Sequence, residues 1–284
     1  MHDIEFCKFH GFGNDYIVIQ KADTGTLRLG ELARAICDRN TGAGSDGIAV
    51  LEKLDGQTAD YFCEIINPDG SMAGFSGNGT RCAAAYLYYK GLWSEPDLQL
   101  ETRSGVKKFH LIESRGPGEF WFEAEIGKPL FPSDQIPVNT TAAQAAVVNE
   151  DIVADGAHFI FSAVNVGNPV ACIFVEEFDK NWRAAGKALE SHEKFPKRAN
   201  IVFVKVTDPE NVEIRIWERG AGETAASGTC AAGVAILSSF LLKTGRRVRV
   251  HSEGGISDVF WRDDDEIVLT GRADLAYWGT WPAP

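Results

Sequence analysis

The stretch SGNGTRCAAAYLYYKG (residues 76–91) indicates the fold, because SGTCAAGVAILSSFLLKTG (residues 227–245) repeats its plan in the second half of the chain. Each stretch opens with Ser-Gly, passes through a threonine and enters an alanine-rich run that stops at Lys and Gly. A serine before such a run is a typical helix N-cap, and a glycine after it is a typical helix C-terminal residue. The sequence therefore predicts two helices of one kind, followed by Gly91 and Gly245.

The repeat continues beyond the two helices. LQLETRSGVKKFHLI (98–112) and VRVHSEGGISDVFW (248–261) each contain an alternating run, a Ser/Gly turn and a second run, which is typical of a β-hairpin. The alanine-rich helices are apolar on all sides, which predicts that they are buried. We therefore expect an α/β fold with two pseudo-symmetric halves, each a curved mixed or antiparallel sheet wrapped around a central helix.

No low-complexity linker separates the two halves, and the join is predicted near ESRGPGE (113–119). The N-terminal α/β half is assigned to residues 1–118 and the C-terminal α/β half to residues 119–268. Residues 269–284 are expected to form a C-terminal segment that returns to the N-terminal half.

Composition and charge limit the class of partner. The 284 residues are 44% hydrophobic and 24% charged, which is normal for a globular protein. The net charge of −12 argues against nucleic acid and membrane partners, because both favour a basic face. The N-terminus has no apolar leader, and the longest mostly apolar stretch, 231–242, is too short to cross a bilayer. We therefore expect a cytoplasmic protein with a small-molecule partner.

Neither a metal nor a cofactor is predicted. The six cysteines show no CxxC spacing and are expected to be free thiols, and the six histidines are scattered singly. GAGSDG (42–47) matches the letters of a dinucleotide fingerprint. That fingerprint needs a strand before it and a helix after it, whereas here the order is reversed.

Seven short motifs follow one another along almost the whole chain: HGFGNDY (10–16), NPDGS (67–71), SGNGTRC (76–82), GNP (167–169), ANIVF (199–203), ERGAGET (218–224) and ASGT (226–229). Together they resemble the diaminopimelate epimerase family of cofactor-independent amino-acid epimerases. The resemblance implies two pseudo-symmetric α/β halves, with the active site in the cleft between the N-termini of two central helices. A homodimer is left open.

The resemblance also implies the residues of a substrate site. The positions that match substrate contacts are Asn14, Asn67, Asn168, Asn200, Glu218 and Arg219, and the two helix starts that match the carboxylate-binding positions are Gly77 with Asn78 and Gly228 with Thr229. Helix N-termini favour anions and stabilise charge that develops when an α-proton leaves. Taken singly, each of these residues also has a structural explanation, since Asn and Gly are common in turns.

The catalytic positions depart from the family pattern. The family moves the α-proton with two cysteines, and those positions are Ser76 and Ser227 here. A thiol has a pKa near 8.5 that a helix N-terminus lowers, whereas a serine hydroxyl needs an adjacent base. Val170 stands where the family usually has histidine, and Cys230 where it usually has glycine. Cys230 is either a thiol acidified by the helix end and acting as a displaced base, or a small packing residue.

Three functions remain open at this point. The first is a diaminopimelate epimerase-like isomerase that interconverts the LL and meso forms in lysine biosynthesis, slowed by Ser76 and Ser227. The second is a one-base isomerase or dehydratase that uses Glu218, and the third is a non-catalytic amino-acid-binding protein. The further changes at Val170 and Cys230 favour natural divergence over two isolated Cys-to-Ser replacements.

Overall fold

The computed structural model describes residues 3–56 and 58–282, and in this part of the chain it shows a mixed α/β fold with four α-helices. The chain divides into two compact units, Met1–Glu125 with Thr270–Pro284, and Ile126–Leu269. The division falls inside a β-strand after Glu125, whereas the sequence placed the join at 113–119. None of the helices in the described residues has the length and apolar character that crossing a bilayer requires.

The first unit contains ten of the main elements. They are β1 (Ile4–Gly11), β2 (Asn14–Gln20), α1 (Leu29–Ile36), β3 (Ile48–Lys53), β4 (Tyr61–Ile66), β5 (Met72–Ala73), α2 (Gly77–Tyr89), β6 (Asp97–Thr102), β7 (Gly105–Arg115) and β8 (Glu119–Gly127), whose last residues enter the second unit. A short 3-10 helix, Lys21–Thr24, follows β2.

The second unit has a matching series. Its elements are β9 (Val147–Ala154), β10 (Ala157–Asn165), β11 (Pro169–Phe174), α3 (Trp182–Glu190), β12 (Asn200–Asp208), β13 (Asn211–Glu218), β14 (Gly222–Thr224), α4 (Gly228–Phe240), β15 (Arg247–Ser252) and β16 (Gly255–Trp261). The long strand β17 (Ile267–Trp281) begins here and continues in the first unit, where it pairs antiparallel with β1.

Strand pairing repeats between the units element by element. In the first unit β1–β2, β3–β4, β4–β5 and β6–β7 are antiparallel, while β2–β3 and β4–β6 are parallel. In the second unit β10–β11, β12–β13, β13–β14 and β15–β16 are antiparallel, while β11–β12 and β13–β15 are parallel. The internal repeat is therefore longer than the helix and hairpin that the sequence revealed.

The helices α2 and α4 are buried, as their composition predicts. Asn78 to Leu87 in α2 and Thr229 to Ser239 in α4 are all buried. The helix α2 packs against β1, β2, β3, β4 and β6, and α4 packs against β10, β11, β12, β15 and β16. Small alanine side chains allow this close approach of strand to helix.

The other two helices cover the apolar core of each unit. In the first unit, Leu32 of α1 lies in one buried cluster with Ile48 of β3. In the second, Leu189 of α3 lies in a cluster with Ile201 of β12. Through these clusters α1 packs next to β3, the strand that follows it, and α3 packs next to β12 in the same way.

The C-terminal ends of α2 and α4 correct one sequence prediction. Gly91 has a φ of 66° and closes α2 in a Schellman motif, in which the N–H of the next residue, Leu92, donates to the Leu87 carbonyl. The prediction that Gly245 does the same for α4 is wrong, because Leu242 has the left-handed φ of 56°. Both helices have 13 residues, so the residue after α4 that is equivalent to Gly91 is Leu242. Gly245 lies three residues farther along the chain.

Candidate active site

Ser76 caps the start of α2. Its backbone is extended, and its Oγ accepts a hydrogen bond from the Gly79 N–H over 3.0 Å. The same Oγ donates to the phenolic oxygen of Tyr16, in β2, over 2.9 Å. The space above the helix start is tight, since a side chain at Gly79 would meet the Tyr16 ring. The predicted N-cap is confirmed, and Tyr16 is a neighbour that the sequence did not single out.

Asn14 and Asn78 lie together beside this helix start. Asn78 Nδ2 donates to Asn14 Oδ1 over 3.1 Å. Asn14 begins β2, directly after the tight turn at Phe12 and Gly13, where both residues have positive φ as in a type I′ hairpin. Gly11 allows the close approach of β1, because a Cβ there would lie 2.9 Å from Asn78 Oδ1. The motif HGFGN thus brings Asn14 to the start of α2.

Asn67 bonds within its own turn. Its Nδ2 donates to Ser71 Oγ over 3.0 Å, and its backbone N–H donates to the Ser71 carbonyl. These contacts fit the structural explanation for asparagine in the NPDGS turn.

Ser227 caps the start of α4 more loosely. Its backbone is extended like that of Ser76, and its Oγ accepts from the Cys230 N–H over 3.5 Å. The first turn continues with Gly228, which is half-buried, and Thr229, which is buried. The two serines therefore occupy equivalent positions in the two units, but the capping hydrogen bond of Ser227 is longer and weaker than that of Ser76.

Cys230 has the surroundings of a packing residue, which is one of the two roles that the sequence left open. It is completely buried, and desolvation by burial raises the pKa of its thiol well above the ordinary value, with the nearby Glu218 carboxylate adding to the rise. Cys230 is a packing residue, which was the alternative that the sequence left open.

Val170 is also a packing residue. It is fully buried in β11, and a Cβ at Gly233 of α4 would lie 2.8 Å from the Val170 side chain. The repeated pairing makes Val170 the counterpart of Tyr16, since each lies two residues after an asparagine that precedes or begins its strand. Tyr16 therefore bonds to Ser76 at the start of α2, whereas its counterpart Val170 packs against Gly233 in the second turn of α4.

Arg219 is the centre of a polar group in the second unit. Its backbone N–H donates to Asn200 Oδ1 over 2.9 Å, and its Nη2 lies 3.5 Å from Asn168 Oδ1. Asn168 Nδ2 in turn donates to Thr229 Oγ1 over 3.4 Å. The structure thus brings together four residues that the family pattern named. The Arg219 side chain is exposed and keeps further N–H donors for a ligand.

Glu190, at the end of α3, supports the turn that carries Arg219. This buried carboxylate accepts from the Gly220 N–H over 2.8 Å and from Trp217 Nε1 over 2.9 Å. The sequence gave no signal for it, because an acidic residue at a helix end is ordinary until its tertiary partners are known. Glu218 precedes Arg219 and is half-buried.

All six cysteines are free, as the spacing predicts, and all six are buried. Across residues 3–56 and 58–282, no group of three or more His, Cys, Asp or Glu side chains is arranged to hold a metal ion.

Comparison with known proteins shows to which family the chain belongs. A match to the diaminopimelate epimerase family covers residues 6–127 and 162–276. The diaminopimelate epimerase of Caldanaerobacter subterraneus is 38% identical over 277 residues, 97% of this chain and 98% of that protein. That of Pelotomaculum thermopropionicum is 36% identical over 285 residues, 98% of this chain and 99% of that protein. The chain belongs to the diaminopimelate epimerase family.

The fold has relatives beyond the diaminopimelate epimerase family. The solved structure of a hydroxyproline epimerase from Agrobacterium vitis aligns with a TM-score of 0.71, covering 99% of this chain and 91% of that one. At 16% identity this similarity shows a shared fold. Every candidate site residue lies inside the part of the chain that matches the diaminopimelate epimerase family.

Proposed function

We propose that the protein is an isomerase that interconverts LL- and meso-diaminopimelate, a step of lysine biosynthesis, by moving the α-proton. The observation that carries this proposal is the repeated start of α2 and α4. In each unit a half-buried serine, Ser76 or Ser227, stands at the N-cap of a buried 13-residue helix. Family membership supports diaminopimelate as the substrate.

The proposed substrate-binding residues are divided between the two units. The proposed contacts are Asn14, Asn67, Gly77 and Asn78 in the first unit, and Asn168, Asn200, Arg219, Gly228 and Thr229 in the second. Free N–H groups at the helix starts suit the carboxylate beside the reacting carbon. The guanidinium of Arg219 suits another carboxylate, because its fork of donors matches a carboxylate in geometry.

Serine at both proton-transfer positions makes the proposed reaction slow. Epimerisation needs one group deprotonated and the other protonated, and a hydroxyl at pH 7 supplies no anion comparable to a thiolate. Loss of a general acid or base lowers a rate by roughly 10²- to 10⁴-fold. We therefore expect the native protein to turn over far more slowly than a two-thiol enzyme of the same site.

The test restores the thiols. Ser76→Cys and Ser227→Cys are made singly and together, and epimerisation of LL-diaminopimelate is followed by NMR under reducing conditions. Activity in the double variant, and not in either single variant, supports a site built for this reaction. A native protein that epimerises as fast as the double variant contradicts the assignment of the proton transfers to these positions.

A second candidate function is supported by the location of Glu218. Glu218 ends β13 and pairs with Gly222 of β14, and β14 ends three residues before Ser227. Its half-buried carboxylate also contributes to the raised pKa of the Cys230 thiol. One base at that place can exchange an α-proton, or remove water, without inverting the carbon. In D₂O this reading predicts α-proton exchange without inversion, abolished by Glu218→Gln and retained in Ser76→Ala. Saturable binding without any exchange would favour a binding protein over both candidates.

A further inference from the structure

Arg81 is a buried cation without a carboxylate partner in the described part of the chain. It lies in α2, only 2% exposed, with its guanidinium against the backbone at Gly271. Its Nη1 donates to Asn78 Oδ1 over 2.8 Å, and its Nε is buried without a hydrogen-bond partner. Burial lowers the pKa of Arg81 to about 10, which leaves it charged at neutral pH. A buried charge without an opposite charge is costly.

A chain of hydrogen bonds leads from Arg81 to a carboxylate at its other end. Asn78 Nδ2 donates to Asn14 Oδ1 over 3.1 Å, and Asn14 Nδ2 donates to Asp46 Oδ2 over 2.8 Å. Asp46 also accepts from Arg39 Nη2 over 2.7 Å. A cation, two amides and an anion thus form one series.

The two ends of this series fix the direction of both amides. Arg81 has only donors, so Asn78 must turn its oxygen toward it; Asp46 has only acceptors, so Asn14 must turn its NH₂ group toward it. The oxygens of both amides are then engaged within the series. Each NH₂ group uses one N–H there and keeps a second N–H for another partner.

We propose that Arg81 and Asp46 are positioning residues that make Asn14 and Asn78 a pair of N–H donors for a ligand carboxylate at the start of α2. This proposal rests on the proposed function, because it concerns the same site. The carboxylate supplies the negative charge that Arg81 lacks in the folded chain. Arg81 acts through Asn78 and does not contact the ligand.

Binding of two probes tests this proposal. LL-diaminopimelate and glutarate, a plain dicarboxylate, are titrated calorimetrically into the native protein and into Arg81→Met, Arg81→Lys and Asp46→Asn. Arg81→Met removes the charge at similar size, and we expect affinity for both probes to fall roughly 10- to 100-fold, as is typical for loss of a charged hydrogen-bond partner. Arg81→Lys keeps charge and a donor and should recover most of the affinity.

Asp46→Asn is the variant at the other end of the series. The Asp46 side chain is 40% exposed, so this change leaves the core intact. We expect roughly a tenfold loss of affinity for both probes. An amide at position 46 can both donate and accept, so it no longer forces the Asn14 side chain to turn its NH₂ group toward it. The control is Asp264→Asn in the exposed turn after Arg262, which should bind both probes as the native protein does.

Side-chain amide NMR signals provide a readout that does not need a ligand. In ¹⁵N-labelled protein, Arg81→Met should shift the NH₂ signal of Asn14, which Arg81 does not touch, and Asp46→Asn should shift that of Asn78. Absence of these remote shifts overturns the series. Unchanged glutarate affinity in Arg81→Met overturns the role of the charge.

The two probes separate this inference from the proposed function. Native protein that binds glutarate and not LL-diaminopimelate contradicts the proposed function, while the arginine dependence of glutarate binding still supports the carboxylate site. Native protein that binds neither probe overturns both.

Discussion

The hydroxyl of Ser76 donates a hydrogen bond to the phenolic oxygen of Tyr16 over 2.9 Å, while it accepts one from the Gly79 N–H over 3.0 Å. Ser227, the equivalent cap, accepts from the Cys230 N–H over 3.5 Å, and the counterpart of Tyr16 is the apolar Val170. Two caps with the same Ser-Gly sequence thus differ in how firmly they are held.

This difference predicts unequal stability losses on truncation. Ser76→Ala removes a well-formed cap and leaves the buried phenol of Tyr16 without that donor, so we expect a loss of about 1.5–2 kcal/mol in the free energy of unfolding. Ser227→Ala removes a long cap bond, and about 0.5 kcal/mol is expected. Denaturant unfolding of both variants measures the two losses. Equal losses would show that the Tyr16 contact contributes nothing.

The reactivity of thiols should separate Cys230 from an engineered cysteine beside it. Burial raises the pKa of Cys230 and excludes reagents, so iodoacetamide at neutral pH should label it very slowly in the folded protein. A cysteine at position 227 is half-exposed at a helix N-terminus and should react many times faster. Mass spectrometry of native protein and Ser227→Cys gives both rates. Comparable labelling of the two sites would contradict the burial argument.

Leu242→Gly should stabilise the protein. Leu242 has a φ of 56° and the residue is 92% exposed, so the change relieves backbone strain and removes almost no packing. We expect a gain of about 0.5–1 kcal/mol after the added entropy of the unfolded glycine is subtracted. The matched control is Gly91→Ala, at the same place after α2, where a Cβ meets no atom within 4 Å yet φ is 66°. It should destabilise by about 1 kcal/mol, and the opposite signs are the test.

Asp15 should make stability depend on acid. Burial acts to raise the pKa of this carboxyl, but hydrogen bonds from Arg39 and Lys8 outweigh it and lower the pKa to about 2. The folded pKa is below the unfolded value near 3.9, so the contribution of about 2 kcal/mol is present above about pH 4 and is lost as pH falls toward 2.

The variant Asp15→Asn tests this dependence. Its stability at pH 7 should be lower, and its loss of stability between about pH 4 and pH 2 should be shallower than that of the native protein. Asp263→Asn, at a fully exposed side chain, is the control and should keep the native slope. A native slope in Asp15→Asn would mean that other carboxylates cause the acid sensitivity.

The sequence by itself determined the local features of this fold. Ser76 and Ser227 precede alanine-rich runs, and capping is a local hydrogen bond within one turn, so the helix starts could be predicted. Hairpins follow from alternation around a Ser/Gly turn in the same way. The motifs also indicated the family and its site residues, because each motif is a short contiguous stretch and the motifs occur in order along the chain.

Tertiary structure alone decided the features that depend on distant partners. Burial raises the pKa of Cys230, and the strands that bury α4 come from distant parts of the chain. Tyr16 and Glu190 gained their roles from partners 60 and 30 residues away, and Arg81 from its burial against Gly271 of β17. Desolvation and hydrogen-bond direction depend on the packed surroundings of a group, and a linear pattern does not contain them.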